Sequence, residues 1–249
     1  MAYIDNGFLR GQLGDVINRK VGDKNIVQTK ATQINQSRWS KAASSDFGRA
    51  STAGALIRRL LSSLHHHMHD GKMHNRLMVN LQRVMKCNRQ HLGKKNVVAG
   101  NPNRLVDFQF NDNSHLGDYM FFDIATLKDN NILTITVPSF HVRDHIKPPK
   151  KCCYTNLRIV TVAINFEKKQ GYELGKEEIG FEPYYKDVWM PEQTFSYTLD
   201  DVDTDMVLVG VNLDFFSSRG SSLTLINDEK LNPASIIAAF GRTSYSNES

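Results

Sequence analysis

The sequence contains few cysteines, and nothing in their spacing would pair them. There are three in 249 residues, Cys87 and the neighbouring Cys152 and Cys153. Neighbouring cysteines rarely bridge each other, and the two cysteine pairs that form a zinc knuckle are absent. We therefore expect no disulfide framework and synthesis in a reducing compartment, with redox or thiol–metal chemistry at Cys152 and Cys153 as the alternative.

Long apolar segments are lacking as well. No run approaches the roughly 18–20 apolar residues that cross a bilayer. The opening "MAYID" lacks the basic and then apolar layout of a secretion signal. The sequence predicts no membrane span and no Sec signal peptide, so we expect a protein that is cytoplasmic at synthesis. Its final location stays open, and an extracellular particle is one of the alternatives.

Acidic residues are scarce in the first part of the chain. Through Gly100 there are 17 lysines and arginines against five aspartates, and the first glutamate is Glu167. The remainder has 14 basic residues against 21 acidic ones, so net charges of +12 and −7 combine into the total of +5. Such polarity is typical of a nucleic-acid-binding basic end, or of a basic part that contacts the acidic part of the next copy.

The sequence motifs that are typical of common catalytic sites are missing. The chain has no phosphate-binding P-loop, no G-x-G-x-x-G and no G-x-S-x-G nucleophile elbow. A loop with His141, Arg143, Asp144 and His145 could form an acid/base set. The acidic run at residues 200–205 has the spacing of a calcium loop, but without the EF-hand glycine and glutamate a solvated connection is favoured. We expect a non-enzymatic protein without a cofactor.

Residues 11–33 predict a basic β-hairpin. The segments "VINRK" and "NIVQT" flank "VGDK", where Gly22 can supply the positive φ of a tight turn. A lone two-stranded hairpin is marginal in water. Because this one has few apolar side chains, we expect it to lie on its own domain or on another subunit.

From about Ser37 apolar residues recur every three or four positions, which predicts a helix with one buried face. The recurring residues are Trp39, Ala43, Phe47, Ala50, Ala53, Ile57, Leu60, Leu64 and Met68. Gly48 and Gly54 indicate a break near residues 44–48 or a close contact with another helix. Asp70 is expected to cap a second helix, antiparallel to the first. That helix has the same spacing at Met73, Leu77, Leu81 and Val84.

After residue 100 the pattern becomes that of short β-strands. Strand-like segments cover residues 105–110, 132–137, 157–166, 194–199, 206–215 and 222–226. Strands at regular intervals without helices favour an antiparallel sandwich, immunoglobulin-like or related. Residues 233–240 form an apolar segment, helix or strand, that needs a groove to lie in. Its Ile236, Ile237 and Phe240 are candidates for an apolar contact in assembly.

These patterns together predict an α+β chain in four parts. The parts are a basic hairpin arm (1–33), an antiparallel helical pair (34–100), an antiparallel β-sandwich (101–232) and an apolar C-terminal segment with a polar tail (233–249).

The segment "LHHHMHDGKMH" is a candidate metal site. His65 and His69 are four residues apart on one helical face and His74 follows the turn, so three imidazoles could converge on zinc or a similar ion. No acidic residue takes the catalytic place of an H-E-x-x-H helix, and histidines at a helix C-terminus also interact favourably with the helix dipole. Surface or capping histidines, a structural metal and a catalytic metal are the three interpretations.

The basic residues of the first part are candidates for an assembly arm. They are Arg10, Arg19, Lys20, Lys24 and Lys30. With Arg38 and Lys41 they could also contact phosphates, because a two-stranded ribbon can enter a nucleic-acid groove. Aromatic residues for stacking on single strands are sparse there, namely Tyr3, Phe8 and Trp39.

Five segments of the chain follow in the order "GFLRGQLGDVINRKVGDKNIVQTKA", "FGRASTAGALIRRLL", "MHNRLMVNLQRV", "VDFQFN" and "LTITVPSF…IKPP". In this order they resemble a family of uncharacterised proteins from Bacteroidota genomes, over residues 7–166. The resemblance implies the two-part layout and a bacterial source. It implies no site, because the motifs carry no chemical signature and the family has no established activity.

We expect a non-enzymatic structural subunit that assembles head-to-tail with copies of itself into a filament, tube or other large particle. Opposed charges, an arm too small to fold alone and an apolar terminal segment motivate this expectation. The alternatives are a nucleic-acid-binding protein that uses the basic half and a metal-dependent enzyme centred on the histidines.

Overall fold

The computed structural model describes residues 2–31, 35–183, 188–200, 203–220 and 222–242. The chain divides into two compact units, Met1–Lys41 and Ala42–Ser249. The α+β class is confirmed, with an N-terminal β-hairpin, helices and a sandwich of antiparallel sheets. None of the helices in the described ranges is both long enough and apolar enough to span a membrane.

The first unit contains a four-stranded antiparallel sheet in which the strands follow chain order. The strands are β1 (Tyr3–Asp5), β2 (Phe8–Leu13), β3 (Val16–Val21) and β4 (Lys24–Thr29). The expected hairpin is β3–β4: Val21 pairs with Lys24, and Gly22 has a φ of 60°. We did not predict β1 and β2, although Asn6 and Gly7 between them, with φ of 48° and 78°, are the Asn-Gly turn that signals a hairpin.

The helices occupy the region that the apolar spacing predicts. They are α1 (Arg38–Leu60), α2 (Ser62–His65), α3 (Met73–Lys86) and α4 (Val142–His145), with short 3-10 helices at Pro102–Leu105 and Leu116–Asp118. Helix α1 runs through Gly48 without a break. At Gly54 an added Cβ would lie 3.2 Å from Leu81 Cδ1, so the two long helices approach closely there.

Two details of the helical prediction are wrong. Trp39 and Phe47 belong to the predicted buried stripe but are 71% and 53% exposed, because α1 joins the hydrophobic core only from Ala50 onward. Asp70 does not take the capping position of α3, which Lys72 occupies without a side-chain cap. Instead Asp70 Oδ1 accepts from the Lys72 amide at 2.8 Å, one turn before the helix.

The strands of the second unit form a central sheet and two smaller ones, all antiparallel. Their bounds are β5 (Phe108–Gln109), β6 (Ala125–Asp129), β7 (Ile132–Val137), β8 (Phe140–His141), β9 (Tyr154–Asn165), β10 (Gln170–Phe181), β11 (Trp189–Met190), β12 (Gln193–Thr198), β13 (Met206–Arg219), β14 (Ser222–Leu225) and β15 (Ala234–Gly241). The central sheet has the order β10-β9-β13-β15-β5, with β14 also paired to β13. The others are β12-β7-β6 and β11-β8.

The central sheet is buried on both faces. Val160, Val162 and Ile164 of β9 share one core with α1 and α3. Leu157 and Ile159 of the same strand share a second core with β7. The second unit is therefore layered as helices, central sheet and small sheet. Because both faces of β9 are buried, its sequence is a β-branched run and does not alternate between apolar and polar residues.

The chain divides into units at a different place from the predicted part boundaries, which follow residues 33, 100 and 232. The joint near residue 100 is packed against the helices, because the Gly93 amide donates to Asp46 of α1 at 2.8 Å and the Asn101 amide donates to the Val84 carbonyl at 3.3 Å. The helical pair and the sandwich thus share a core within one unit. The segment after residue 232 is β15, an inner strand of the central sheet, and the polar tail beyond Arg242 lies outside the described residues.

Candidate functional site

The histidine segment folds into a tight turn between α2 and α3. His65 is 3% exposed, and both of its ring nitrogens are engaged. Its Nε2 lies 3.1 Å from the Arg58 carbonyl oxygen and its Nδ1 accepts from the His67 amide at 3.2 Å, so Nε2 carries the proton. Burial lowers the pKa of His65 to about 4, against a smaller opposing effect of the Arg58 bond. His65 is therefore a neutral, structural histidine at physiological pH.

The three candidate metal ligands come near one another but do not form a metal centre. The ring centroids of His65 and His69 are 5.6 Å apart, and those of His69 and His74 are 5.2 Å apart. His65 has no lone pair left for a metal, and His69 Nδ1 lies 3.1 Å from the Asp70 carbonyl oxygen. Throughout the described ranges no group of three or more His, Cys, Asp or Glu side chains has an arrangement that could hold a metal ion.

A buried ion-pair network that the sequence did not suggest lies beside this turn. Arg158 of β9 donates to Asp214 of β13 at 2.9 Å, to Glu178 of β10 at 2.9 Å and to the Ser63 carbonyl at 2.8 Å. The Asp214 side chain is 1% exposed. His66, which ends α2 in the left-handed conformation, contacts the guanidinium of Arg158 and lies 3.3 Å from Asp214. The network joins three strands to the histidine turn.

The N-terminal sheet buries almost nothing. Among its four strands Asn18 is the one buried residue, at 5% exposure, and its Nδ2 has no hydrogen-bond partner among the described residues. Large apolar side chains remain exposed on this sheet. They are Tyr3 (59%), Ile4 (75%), Leu13 (59%), Val21 (49%) and Val27 (61%). The sheet is thus held by backbone pairing, with exposed apolar and basic groups and no core of its own.

Four of the five candidate arm residues lie on the strands of this sheet, and Lys30 follows the end of β4. Arg10 pairs with Asp5 at 3.0 Å, and Lys20 Nζ lies 4.0 Å from the centroid of the Phe8 ring. The other three, Arg19, Lys24 and Lys30, are exposed and make no side-chain bond to a described residue. Three cations are thus available for a partner.

The candidate contact at the C-terminus is used within the chain. Ile236 is fully buried between the helices and the central sheet, where it pairs with Gly210 of β13 and Phe108 of β5. Ile237 and Phe240 are half-buried against the second core. The groove that this apolar segment needs is therefore supplied by its own sheet.

The remaining candidates are the His141–His145 loop, the acidic run at residues 200–205 and the cysteine Cys152. His141 Nδ1 lies 2.8 Å from Asp144, so the loop pair does form, while His145 Nδ1 is directed to the His141 carbonyl oxygen at 2.9 Å. In the acidic run, residues 201 and 202 lie outside the described ranges, and Asp203 pairs with Lys168 at 2.6 Å. Burial raises the pKa of the Cys152 thiol, which makes this cysteine a poor nucleophile.

A cleft of about 460 Å³ opens beside α1 in the second unit. Its lining includes the apolar Leu56 and Phe166, the cationic Arg49, Lys169 and Arg242, and the anionic Glu167 and Asp205. Arg49 is already paired with Asp46 at 2.6 Å. Because both signs of charge are present, the cleft specifies no class of ligand.

Comparisons with known proteins add little. No protein-family model and no curated protein sequence matches the chain. Among solved structures, a penta-heme cytochrome c552 from Thermochromatium tepidum is similar at a TM-score of 0.26 and 10% identity, over 63% of this chain and 46% of the cytochrome chain. A likeness at this level carries no argument about fold or function.

Proposed function

We propose that this chain is a non-enzymatic structural subunit that assembles with copies of itself through its N-terminal sheet. The observation that carries the proposal is the exposed apolar surface of a sheet that has no core. Full burial of a Val, Leu or Ile side chain contributes about 1.5–3 kcal/mol. A contact that covers Ile4, Leu13 and Val27 would supply the stabilisation that the isolated sheet lacks.

A second copy is the partner that the charges favour. The first unit has seven lysines and arginines against three aspartates. Exposed carboxylates lie on the β-rich part of the second unit, among them Glu173, Glu192 and Glu229. Contact between unlike patches of identical chains is head-to-tail, and it produces a ring if the rotation closes and a filament or tube if it does not.

The test is electron microscopy and sedimentation of the full chain at moderate salt. We expect large particles, and we expect the double variant Leu13→Lys and Val27→Lys to reduce them to small species. A matched control is Leu223→Lys, which places the same charge at a 54% exposed leucine of β14. Monomers at every concentration, or equal assembly of the double variant and the unsubstituted chain, would contradict the proposal.

A nucleic-acid contact through the basic residues of the first unit is the second candidate, favoured by Arg19, Lys24 and Lys30, whose side chains bond to no described residue. It predicts that affinity for DNA or RNA falls steeply with salt, because phosphate contacts release counterions. The charge-removing variants Arg19→Gln and Lys24→Gln would weaken nucleic-acid binding and reduce that salt dependence. Binding that is insensitive to both salt and these variants would exclude this candidate.

A further inference from the structure

An apolar groove lies between the two long helices, on the part of α1 that precedes the hydrophobic core. Its volume is about 290 Å³. The lining includes Ala43 and Phe47 of α1, Met85 of α3 and Leu92 of the loop that follows α3. The side chains of Phe47 and Leu92 are 53% and 44% exposed. This stretch of the predicted apolar stripe is therefore a surface that the described chain leaves uncovered.

Two lysines border the same groove. Lys86, in the last turn of α3, and Lys95, in the following loop, are both lining residues. The Lys86 side chain is exposed and makes no bond to a described residue. Within the described ranges the ammonium of Lys95 has one partner, the Asn88 carbonyl oxygen at 3.5 Å. Ammonium groups beside an apolar surface favour a ligand that has both an apolar part and a negative charge.

The carboxylate in the lining, Asp46, is already neutralised within the protein. It pairs with Arg49 at 2.6 Å and accepts from the amides of Gly93 at 2.8 Å and Lys95 at 3.1 Å. Residues 42–100 contain ten lysines and arginines against two aspartates. The electrostatic field at the groove is therefore positive, which favours an anion.

The length of the groove fits a small ligand better than a partner helix. Ala43 and Phe47 on α1, like Gln82 and Lys86 on α3, are four residues apart, which is a rise of about 6 Å. A helix that docks in a groove places its anchors at i, i+3 or i+4, and i+7, which span about 10 Å. The volume lies near the lower end of small-molecule sites, at about 300 Å³. A single alkyl chain suits this space.

We propose that this groove binds a medium-chain carboxylate. The alkyl chain lies on Phe47, Met85 and Leu92, and the carboxylate lies at Lys86 and Lys95. Removal of the chain from water supplies most of the affinity, and the ammonium groups, with three donors each, select the negative head group. The site is independent of the N-terminal sheet and of assembly.

The test is isothermal titration calorimetry of the full chain with decanoate, below the concentration at which decanoate forms micelles. We expect saturable binding with a negative heat-capacity change, because apolar surface is buried. Affinity should rise from hexanoate through octanoate to decanoate, by up to about fourfold per methylene. Decyltrimethylammonium, which has the same chain length and the opposite charge, should bind more weakly than decanoate.

Variants place the ligand in the groove. Ala43→Leu fills the groove from an exposed position of α1 and should weaken decanoate binding roughly tenfold or more, because methylenes of the ligand lose their contacts. The matched control is Ser44→Leu, at an exposed neighbour that does not line the groove, and it should leave the affinity unchanged. Lys86→Gln should weaken binding about two- to fivefold, whereas Lys72→Gln, at the other end of α3, should have no effect.

Three results would overturn the proposal: no saturable binding of decanoate, equal affinities for decanoate and decyltrimethylammonium, or equal affinities of the Ala43 and Ser44 variants. A fourth is a change of particle size in sedimentation of Ala43→Leu with no change in decanoate affinity, because a second copy of the chain would then occupy the groove.

Discussion

A single side chain, His65, shows how far residue types alone can be interpreted. Its spacing from His69 and His74 predicts that the three rings lie close together. The ring centroids of His65 and His69 are indeed 5.6 Å apart, and those of His69 and His74 are 5.2 Å apart. The spacing does not reveal that the carbonyl of Arg58, seven residues earlier, contacts His65 and fixes its tautomer. Whether a histidine is a ligand or a structural group depends on such backbone partners, which only the fold supplies.

The buried His65 predicts a specific dependence of stability on pH. The unfolded chain binds a proton at this residue below about pH 6.5, whereas the folded chain binds it only near pH 4. Since the unfolded state then holds more protons, the free energy of unfolding falls as the pH decreases through this window, by about 3 kcal/mol from this residue. Denaturant titrations between about pH 7 and pH 4 would measure it.

Variants separate this effect from that of other groups. His65→Gln should reduce the pH dependence in this window, while His91→Gln, at an exposed position, should not. Lys176 and then Arg158 lower the pKa of Glu178 to about 2, so the contribution of that carboxylate is lost only below about pH 4.5 and overlaps the His65 window only at its acidic end. Identical pH profiles for both variants would show that His65 is not held neutral.

The network around Arg158 predicts a large effect of removing one partner. Arg158→Met would leave the carboxylate of Asp214 buried with only the His66 ring and the Asn212 amide beside it, and the free energy of unfolding should fall by about 3–5 kcal/mol. Adding Asp214→Leu should restore much of the loss, because no buried charge then remains. Lys176→Met, which removes a largely solvated pair with Glu178, should cost less than about 1 kcal/mol. If the losses of unfolding free energy from Arg158→Met and Asp214→Leu simply add in the double variant, a direct pairing of the two residues is contradicted.

At the scale of elements, apolar spacing identifies a face but not what covers it. The period from Trp39 to Leu64 is helical, through α1 and α2, whereas Met68 lies beyond the end of α2. Burial in α1 begins at Ala50, because the helix joins the hydrophobic core only from there. Similarly, the apolar run at residues 233–240 could not be assigned from sequence, since a strand that is buried on both faces lacks alternation.

Two glycines predict opposite effects of the same substitution. At Gly48, in α1, an added Cβ meets no atom within 4 Å, so Gly48→Ala should raise the free energy of unfolding by about 0.5–1 kcal/mol. At Gly210, in β13, the Cβ would lie 2.1 Å from Leu64 Cδ1, and the fully buried Leu64 side chain would have to shift within a packed core. Gly210→Ala should therefore cost about 1–3 kcal/mol.

Urea denaturation of the two alanine variants would compare these effects under one condition. A stabilised Gly210→Ala protein would contradict a tight contact between Leu64 of α2 and the central sheet. A destabilised Gly48→Ala protein would place another group against α1 at that position.

At the scale of the molecule, the sequence predicts the α+β class and the order of helices and strands, because local periodicity determines both. It could not predict that the helices share a core with the sandwich. That arrangement depends on long-range contacts such as the pairing of β9 with β13, whose residues lie about 50 positions apart in the chain. The division at Lys41 follows from the same contacts, since the N-terminal sheet takes no part in either core.

The central claim is that the N-terminal sheet is where copies of this chain meet, and hydrogen–deuterium exchange tests it most directly. Exchange would be measured on the full chain when dilute and when concentrated. We predict that the amides of residues 2–31 become protected as particles form, with the largest change in β4, an edge strand whose outer side is unpaired within the described chain. Unchanged exchange in residues 2–31, with new protection confined to the second unit, would contradict the account.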